Sequence, residues 1–306
     1  MQLPDSILGK RNHSWVVLLL SFFLIGAAYL LLAALVIFLS GVLVGAGVIP
    51  ISVLQSIFSM TSEQTGYSAL LLLASVAVSH IAIWAWVRLV HSRSYISLID
   101  PYQSGFKSQW TFTLLFALAN VVFSILISLV LFTDVFSTQY VWDFGSWSMW
   151  LIPLAIMIFL QSSAEEVFFR GYLQQYLARL FPNRWIYYII PALIWASIHW
   201  SNVESQTMRI SVVASIFVMG VIFADWADVT GSLWGPILYH TLNNMTVFLI
   251  SGNSMFPIDT VIWYTDLSAI DDNIIAYTQI VSSVAMAGVY LSIRNLLPRA
   301  TSRHSN

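Results

Sequence analysis

The sequence predicts an all-α membrane protein, a polytopic transmembrane helical bundle with about eight spans. Hydrophobic residues make up 58% of the 306 positions and charged residues only 8%, and the mean hydropathy is +0.81. Polar residues are therefore too few to cover the surface of a water-soluble domain. The only polar tails are 1–14 and 294–306, so we expect one integral membrane domain over 1–306.

Eight apolar runs come near the ~20 residues that a helix needs to cross the hydrocarbon core. The first run is too long for the core of a signal peptide, and no A-x-A-like cleavage site follows it. We therefore expect a retained signal-anchor helix. The fifth and sixth runs are the shortest. The predicted spans are 15–39, 67–90, 110–133, 147–170, 186–201, 210–226, 232–251 and 274–293.

The apolar segment 40–66 is interrupted by Gly41, Gly45, Gly47 and Pro50. A ninth span here would reverse the orientation of everything after it. With eight spans and a cytoplasmic N-terminus, eleven of the twelve Lys and Arg residues fall on or near the cytoplasmic side. We therefore expect both termini in the cytoplasm and segment 40–66 to be interfacial or re-entrant on the outer face.

Three ionisable residues, Glu165, Glu166 and Arg170, lie close together in the fourth predicted span. Charges inside an apolar span are costly and indicate a functional site. Glu166 and Arg170 have the i, i+4 spacing and the order that favour an intrahelical ion pair. Glu165 points about 100° away around the helix, so the pair leaves it free. Low dielectric favours the protonated carboxyl, which suits Glu165 to taking a proton from water near neutral pH.

Two histidines and an asparagine are further candidates. His199 lies near the end of the fifth predicted span, and His240 lies in the seventh, with Asn244 one turn later. The i, i+4 spacing puts His240 and Asn244 on one face of a helix. An imidazole and an amide on one face can donate hydrogen bonds to a common oxygen, as in an oxyanion hole made from side chains.

The order E-E-x-x-x-R, then aromatic-x-x-x-His, then His-x-x-x-Asn, each on an apolar helix, resembles the CPBP intramembrane proteases. That family includes the CAAX prenyl endopeptidases and the bacteriocin-processing or Abi proteins. The resemblance covers about 150–250, and the family usually has Phe where this chain has Trp. The matching residues are Glu165, Glu166, Arg170, Trp195, His199, His240 and Asn244.

The resemblance implies a role for each matching residue. Glu165 and His199 would activate a water molecule, and His240 and Asn244 would stabilise the tetrahedral oxyanion. The Glu166–Arg170 pair would support the site. The resemblance thus implies an intramembrane endopeptidase that hydrolyses a peptide bond.

A zinc site is a chemical alternative, because two His and one Glu form a familiar catalytic zinc set with an open position for water. Glu165, His199 and His240 would be its ligands. They would come from three helices without the HExxH spacing that fixes two His on one face. The sequence favours a glutamate mechanism without a cofactor, and zinc stays open. The chain contains no cysteine, which excludes a thiol nucleophile.

The expected substrate is a membrane-associated or prenylated protein, or a peptide that reaches the bilayer from the cytoplasmic side. We expect membrane lipid around the protein and a bacterial plasma membrane as its location. Basic residues are dispersed and form no patch, so no nucleic-acid partner is expected. A proton-coupled transporter is an alternative, although 1–140 has no counterpart of EEVFFR. A noncatalytic immunity or scaffold protein is another, and it would tolerate loss of Glu165.

The remaining polar residues in the apolar part of the chain receive simpler interpretations. His80 matches no motif, and we expect it to serve in packing. Asp225 and Asp228 fall at a helix end near the interface, and we expect them to be solvated. The stretch 171–184 either extends the fourth helix or lies along the cytoplasmic interface, and Pro182 ends it.

Overall fold

The computed structural model describes residues 14–58, 65–101, 106–131, 137–140, 143–200, 205–254, 257–268 and 270–299. The helices are α1 Trp15–Gly45, α2 Ile51–Phe58, α3 Gly66–Ala77, α4 Ser79–Val90, α5 Ile96–Ile99, α6 Lys107–Leu131, α7 Phe144–Glu166, α8 Gln175–Leu180, α9 Arg184–Ser197, α10 Gln206–Thr230, α11 Trp234–Met245 and α12 Asp272–Ile293. Two π-helical segments, Val167–Gln174 and Thr246–Ile250, continue α7 and α11, and the 3-10 turn Arg294–Leu296 continues α12.

Six of the described helices are long and apolar enough to cross a membrane. They are Trp15–Gly45, Gly66–Val90, Lys107–Leu126, Phe144–Leu180, Gln206–Thr230 and Asp272–Leu296. They correspond to six of the eight predicted spans, and the all-α polytopic bundle is confirmed. The predicted spans 186–201 and 232–251 are helical as α9 and α11, but both helices are shorter than predicted.

The helix that carries the glutamates begins at a well-formed cap. The Asp143 carboxylate accepts hydrogen bonds from the Gly145 and Ser146 N–H groups and from the Ser146 hydroxyl, at 3.2, 3.2 and 2.6 Å. These donors, first of all the Ser146 hydroxyl, lower the pKa of the Asp143 carboxyl. Such a cap satisfies N–H groups that the first turn leaves without helical partners. The stretch 171–184 extends this helix as far as Leu180, which is one of its two predicted placements.

A tight turn joins α10 to α11. Gly231 ends α10 with φ of 63°, a left-handed conformation that favours glycine. Leu233 then donates its N–H to the Ile99 carbonyl at 2.7 Å, and α11 begins at the next residue. This turn returns the chain beside α10 and brings His240 back into the bundle.

A small three-stranded sheet, which the sequence did not predict, interrupts the helical architecture. Strand β1, Ser137–Tyr140, pairs antiparallel with β3, Trp263–Asp266, and β2, Ser251–Asn253, pairs parallel with β3. The strand order is β1-β3-β2. Since β2 directly follows the π segment after α11, the sheet fixes the end of a site helix.

The site residues lie where helices α7, α9, α10 and α11 meet. Helix α7 packs against α3 and α11, and α9 packs against α10. Helix α1 packs against α3 and α4. In the segment 40–66, α2 packs against α3, and residues 59–64 lie outside the described residues. Its position relative to the membrane stays a prediction.

Close contact between α9 and α10 depends on Gly220. A Cβ atom at this position would lie 2.8 Å from the Ala192 Cβ, 3.1 Å from the Ala192 Cα and 3.1 Å from the Arg170 Nη2. Gly220→Ala therefore forces the two helices apart, and we expect it to lower stability by about 1–3 kcal/mol. The thermal unfolding midpoint in detergent measures this change.

Gly288→Ala is the matched control for that prediction. Gly288 lies in α12, and a Cβ atom there would meet nothing within 4 Å. Alanine favours a helix interior over glycine, so this variant should unfold at the wild-type temperature or above it. Equal loss of stability in the two variants would show that the close approach at Gly220 is not the cause.

Candidate active site

Glu165 lies in the last turn of α7 and accepts two hydrogen bonds from neutral groups. Its Oε1 accepts from Gln161 Nε2 at 2.6 Å, and its Oε2 accepts from Trp195 Nε1 at 2.7 Å. Its side chain keeps 11% of its surface exposed, whereas that of Glu166 is fully buried. Glu165 is therefore the more accessible of the two adjacent carboxylates.

Glu166 and Arg170 form the predicted ion pair. Arg170 Nη1 donates to Glu166 Oε1 at 3.0 Å, and both side chains are fully buried. Arg170 Nη2 also donates to the Gly220 carbonyl at 3.3 Å, and its Cζ lies 4.3 Å from the centre of the Trp195 ring. Within the described residues, Glu166 Oε2 and Arg170 Nε have no hydrogen-bond partner. The pair thus ties α7 and its π segment to α9 and α10.

His240 is oriented by Glu166. Its Nδ1 lies 3.0 Å from Glu166 Oε1. A carboxylate can only accept, so Nδ1 carries a proton, and in that tautomer of the imidazole the lone pair is on Nε2. His240 Nε2 lies 4.0 Å from Glu165 Oε2, which is too long for a direct hydrogen bond and suits a bridging water.

Asn244 reaches Glu165 through Gln161, a residue that the sequence argument did not single out. Asn244 Nδ2 donates to Gln161 Oε1 at 3.0 Å and to Ser162 Oγ at 3.4 Å. Gln161 is buried and lies one turn before Glu165, to which it donates. A polar amide at i−4 from a glutamate within an apolar span was the signal that could have identified it.

His199 lies just beyond α9, because that helix ends at Ser197 and not at 201 as predicted. Its Nδ1 lies 2.9 Å from the Trp195 carbonyl, which can only accept, so Nδ1 carries the proton. Nε2 then has a lone pair that can accept a proton. Among the described residues, no hydrogen bond or ion pair joins His199 to Glu165 or His240.

Trp195 connects the separate parts of the site. Its ring centre lies 5.8 Å from that of His199 and 5.4 Å from that of His240, and both contacts are T-shaped. Its indole N–H donates to Glu165, and its face lies against Arg170. Trp195 therefore contacts four of the five charged or titratable side chains of the site, and Glu166 is the fifth.

The proposed zinc ligands do not fit a metal ion in this arrangement. Within the part of the chain that the structure describes, no group of three or more His, Cys, Asp or Glu residues is placed to hold one. Trp195 and Gln161 already donate to the two oxygens of Glu165. We therefore derive no step through zinc.

His80 serves as a polar link between α4 and α7. Its Nδ1 contacts the Tyr95 hydroxyl, and its Nε2 lies 3.0 Å from the Leu160 carbonyl and 3.1 Å from Ser163 Oγ. These contacts agree with the packing role expected for it. They fix the turn of α7 that precedes Glu165.

The expectation that Asp225 and Asp228 are solvated is wrong. Asp225 accepts from the Tyr290 hydroxyl at 2.7 Å and from Arg294 Nε and Nη2 at 2.5 and 2.7 Å. Asp228 accepts from the Tyr188 hydroxyl at 2.7 Å. The ends of α9, α10 and α12 converge here, so both carboxylates are half-buried and bind side chains of neighbouring helices.

The comparisons with known proteins match the stretch of chain that contains this site. Residues 145–246 match the family described as Type II CAAX prenyl endopeptidase Rce1-like. All six predicted site residues lie within that stretch, and the resemblance drawn from the motifs is confirmed there. The matched stretch is thus similar to a family of CAAX-type membrane proteases.

The uncharacterized protein YyaK of Bacillus subtilis is a relative of this chain. It is 27% identical over 178 residues, which are 57% of this chain and 58% of YyaK. The chain therefore spans less than two thirds of that relative. No solved structure matches the chain.

Proposed function

We propose that this protein is an intramembrane endopeptidase in which Glu165 acts as general base on a water molecule, assisted by His199. The contrast between the two adjacent glutamates carries the proposal. Glu166 is fully buried and bound to Arg170 and His240, whereas Glu165 is partly exposed and accepts only from neutral groups. The charge of Glu166 is neutralised by a buried cation and stabilises the fold, whereas the accessible carboxylate of Glu165 can exchange protons with water.

In the proposed first step, a water between Glu165 Oε2 and His240 Nε2 loses a proton to Glu165, and its oxygen attacks the peptide carbonyl carbon. His199 assists through the lone pair of Nε2, which accepts a hydrogen bond from the other O–H of the water and orients it. The carbonyl π electrons move onto oxygen to give a tetrahedral oxyanion. In the second step the oxyanion re-forms the carbonyl, the C–N bond breaks, and the proton on Glu165 passes to the leaving nitrogen. The products are a carboxyl and an amine.

His240 and Asn244 are proposed to hold the oxyanion. Since Glu166 accepts the Nδ1 proton of His240, Nε2 can donate to the oxyanion only when it also carries a proton. Asn244 donates to both Gln161 and Ser162 at present. Its hydrogen bond to Ser162, at 3.4 Å, is the weaker of the two, so we expect Nδ2 to exchange this bond for one to the oxyanion.

The proposed substrate is a membrane-associated or prenylated protein, or a peptide that enters from the cytoplasmic side. The multi-pass helices and the family match support membrane-associated peptides in general. We propose a bacterial plasma membrane with both termini in the cytoplasm. The zinc alternative does not fit the arrangement of Glu165, His199 and His240 in the described residues, and a chelator tests it directly.

The experiment is cleavage of a panel of fluorogenic membrane-peptide and prenyl-peptide substrates by purified protein in detergent. We compare wild type with His199→Ala and His240→Ala, each with and without a metal chelator. We expect both variants to lose at least about 10²-fold in kcat/KM and the wild type to keep its activity in chelator.

Three outcomes count against this proposal. Loss of wild-type activity in chelator, restored by zinc, would establish the metal mechanism. A wild type that cleaves nothing in the panel would remove the protease function and direct the work to proton-coupled transport. Two His variants as active as wild type would overturn the proposed roles of His199 and His240 while the protease function stands.

A further inference from the structure

We propose that Trp195 is a positioning residue for catalysis, because its indole N–H and the Gln161 amide together fix the carboxylate of the general base. This inference rests on the proposed protease function. It concerns one atom, Nε1, which lies 2.7 Å from Glu165 Oε2. A phenylalanine, the usual family residue at this position, has no donor there.

The two donors approach Glu165 from different helices and occupy different oxygens. Gln161 on α7 donates to Oε1, and Trp195 on α9 donates to Oε2. A carboxylate offers about four lone-pair sites, so two sites stay open to water. With both oxygens held, the carboxylate plane cannot rotate, and the open site on Oε2 keeps its direction toward His240 Nε2 at 4.0 Å.

Trp195 is itself rigidly held, which a positioning residue requires. It is 1% exposed, and the Arg170 guanidinium lies over its ring with Cζ 4.3 Å from the ring centre. His240 and His199 contact the same ring in T-shaped geometry. The imidazole rings of both histidines therefore pack against the same side chain that donates to Glu165.

Trp195→Phe keeps an aromatic ring beside Arg170 and removes the N–H donor. We expect kcat to fall about 10- to 100-fold, the worth of one hydrogen bond to a charged group, with KM changed by less than about twofold. We expect KM of this variant to stay close to the wild-type value because the carboxylate acts on the water and not on the bound peptide. The measurement is steady-state cleavage of a fluorogenic membrane peptide.

Trp226→Phe is the matched control. Trp226 is fully buried, and its Nε1 donates to Gln109 Oε1 at 3.1 Å, among the rings of Phe112 and Tyr290. This variant loses the same volume and the same kind of donor outside the site. We expect it to lose thermal stability as Trp195→Phe does and to keep the wild-type kcat.

The contact itself has a readout that needs no activity. The chain contains 13 tryptophans, and tryptophan-selective ¹⁵N labelling gives one indole signal for each. In Glu165→Ala the acceptor is gone, so we expect the signal of a strongly hydrogen-bonded indole to move upfield. This measurement also covers the case in which Trp195→Phe does not fold.

An active wild type with Trp195→Phe kcat within about twofold, or with an equal loss in Trp226→Phe, overturns the inference while the protease function stands. An indole spectrum that does not change in Glu165→Ala overturns it as well. A wild type that cleaves nothing removes the proposed function and with it the catalytic role of Trp195, and the indole signal then decides the contact alone.

Discussion

Glu165→Gln lowers kcat by about 10²- to 10⁴-fold, the range that general-base catalysis contributes. Glutamine has the shape of glutamate, and its amide oxygen can still accept a hydrogen bond from Trp195 or Gln161. It cannot take a proton from water near neutral pH. Steady-state kinetics on a membrane-peptide substrate, together with an unchanged unfolding midpoint in detergent, measure the loss.

Asp143→Asn is the control for that variant, because it makes the same carboxylate-to-amide change at the other end of α7. The Asp143 side chain is exposed and caps the helix, and asparagine caps a helix about as well as aspartate. We expect it to leave kcat unchanged. A Glu165→Gln enzyme that cleaves as fast as wild type would contradict the general-base role.

Arg170→Met destabilises the protein by about 3–5 kcal/mol, because it leaves the charge of Glu166 buried without its cation. Both side chains are fully buried and 3.0 Å apart, and Arg170 also holds the Gly220 carbonyl. The unfolding midpoint in detergent measures the change. Arg184→Met is the control, since Arg184 is exposed at the start of α9 and should change stability by less than about 0.5 kcal/mol.

The double variant Glu166→Gln with Arg170→Met tests the cause of that loss. Glutamine removes the buried charge and keeps an oxygen for the His240 N–H. We therefore expect the double variant to recover most of the stability that Arg170→Met loses. A double variant less stable than either single variant would show that packing of Arg170 on Trp195, and not its charge, dominates.

The helical bundle was predictable because hydropathy identifies long apolar helices directly. Six predicted spans correspond to helices long enough to cross a membrane. The two that are shorter than predicted, α9 and α11, are followed by or carry His199, His240 and Asn244. A hydropathy run does not record where a helix changes to a turn or to a π segment. The small sheet was missed for a related reason, since its strands have only three or four residues each.

Within the site, interactions inside one helix were predictable and interactions between helices were not. The Glu166–Arg170 pair followed from spacing, and so did the different direction of Glu165. The contacts of Glu166 with His240 and of Glu165 with Trp195 join helices whose rotation and depth the sequence does not give. Asp225 was misjudged for the same reason, because its partners Tyr290 and Arg294 lie at the end of α12.

The π-helical segments begin directly beyond the residues of the site, at Val167 after the two glutamates and at Thr246 after Asn244. Each N–H in a π-helix bonds one residue further back than in an α-helix, and such segments are rare. Conversion of 167–174 to α-helix would rotate the chain beyond Glu166 and carry Arg170 away from the Gly220 carbonyl of α10. The hydrogen bond between Arg170 and α10 therefore stabilises the wider winding of this segment, and a contact between two helices sets the geometry within one of them.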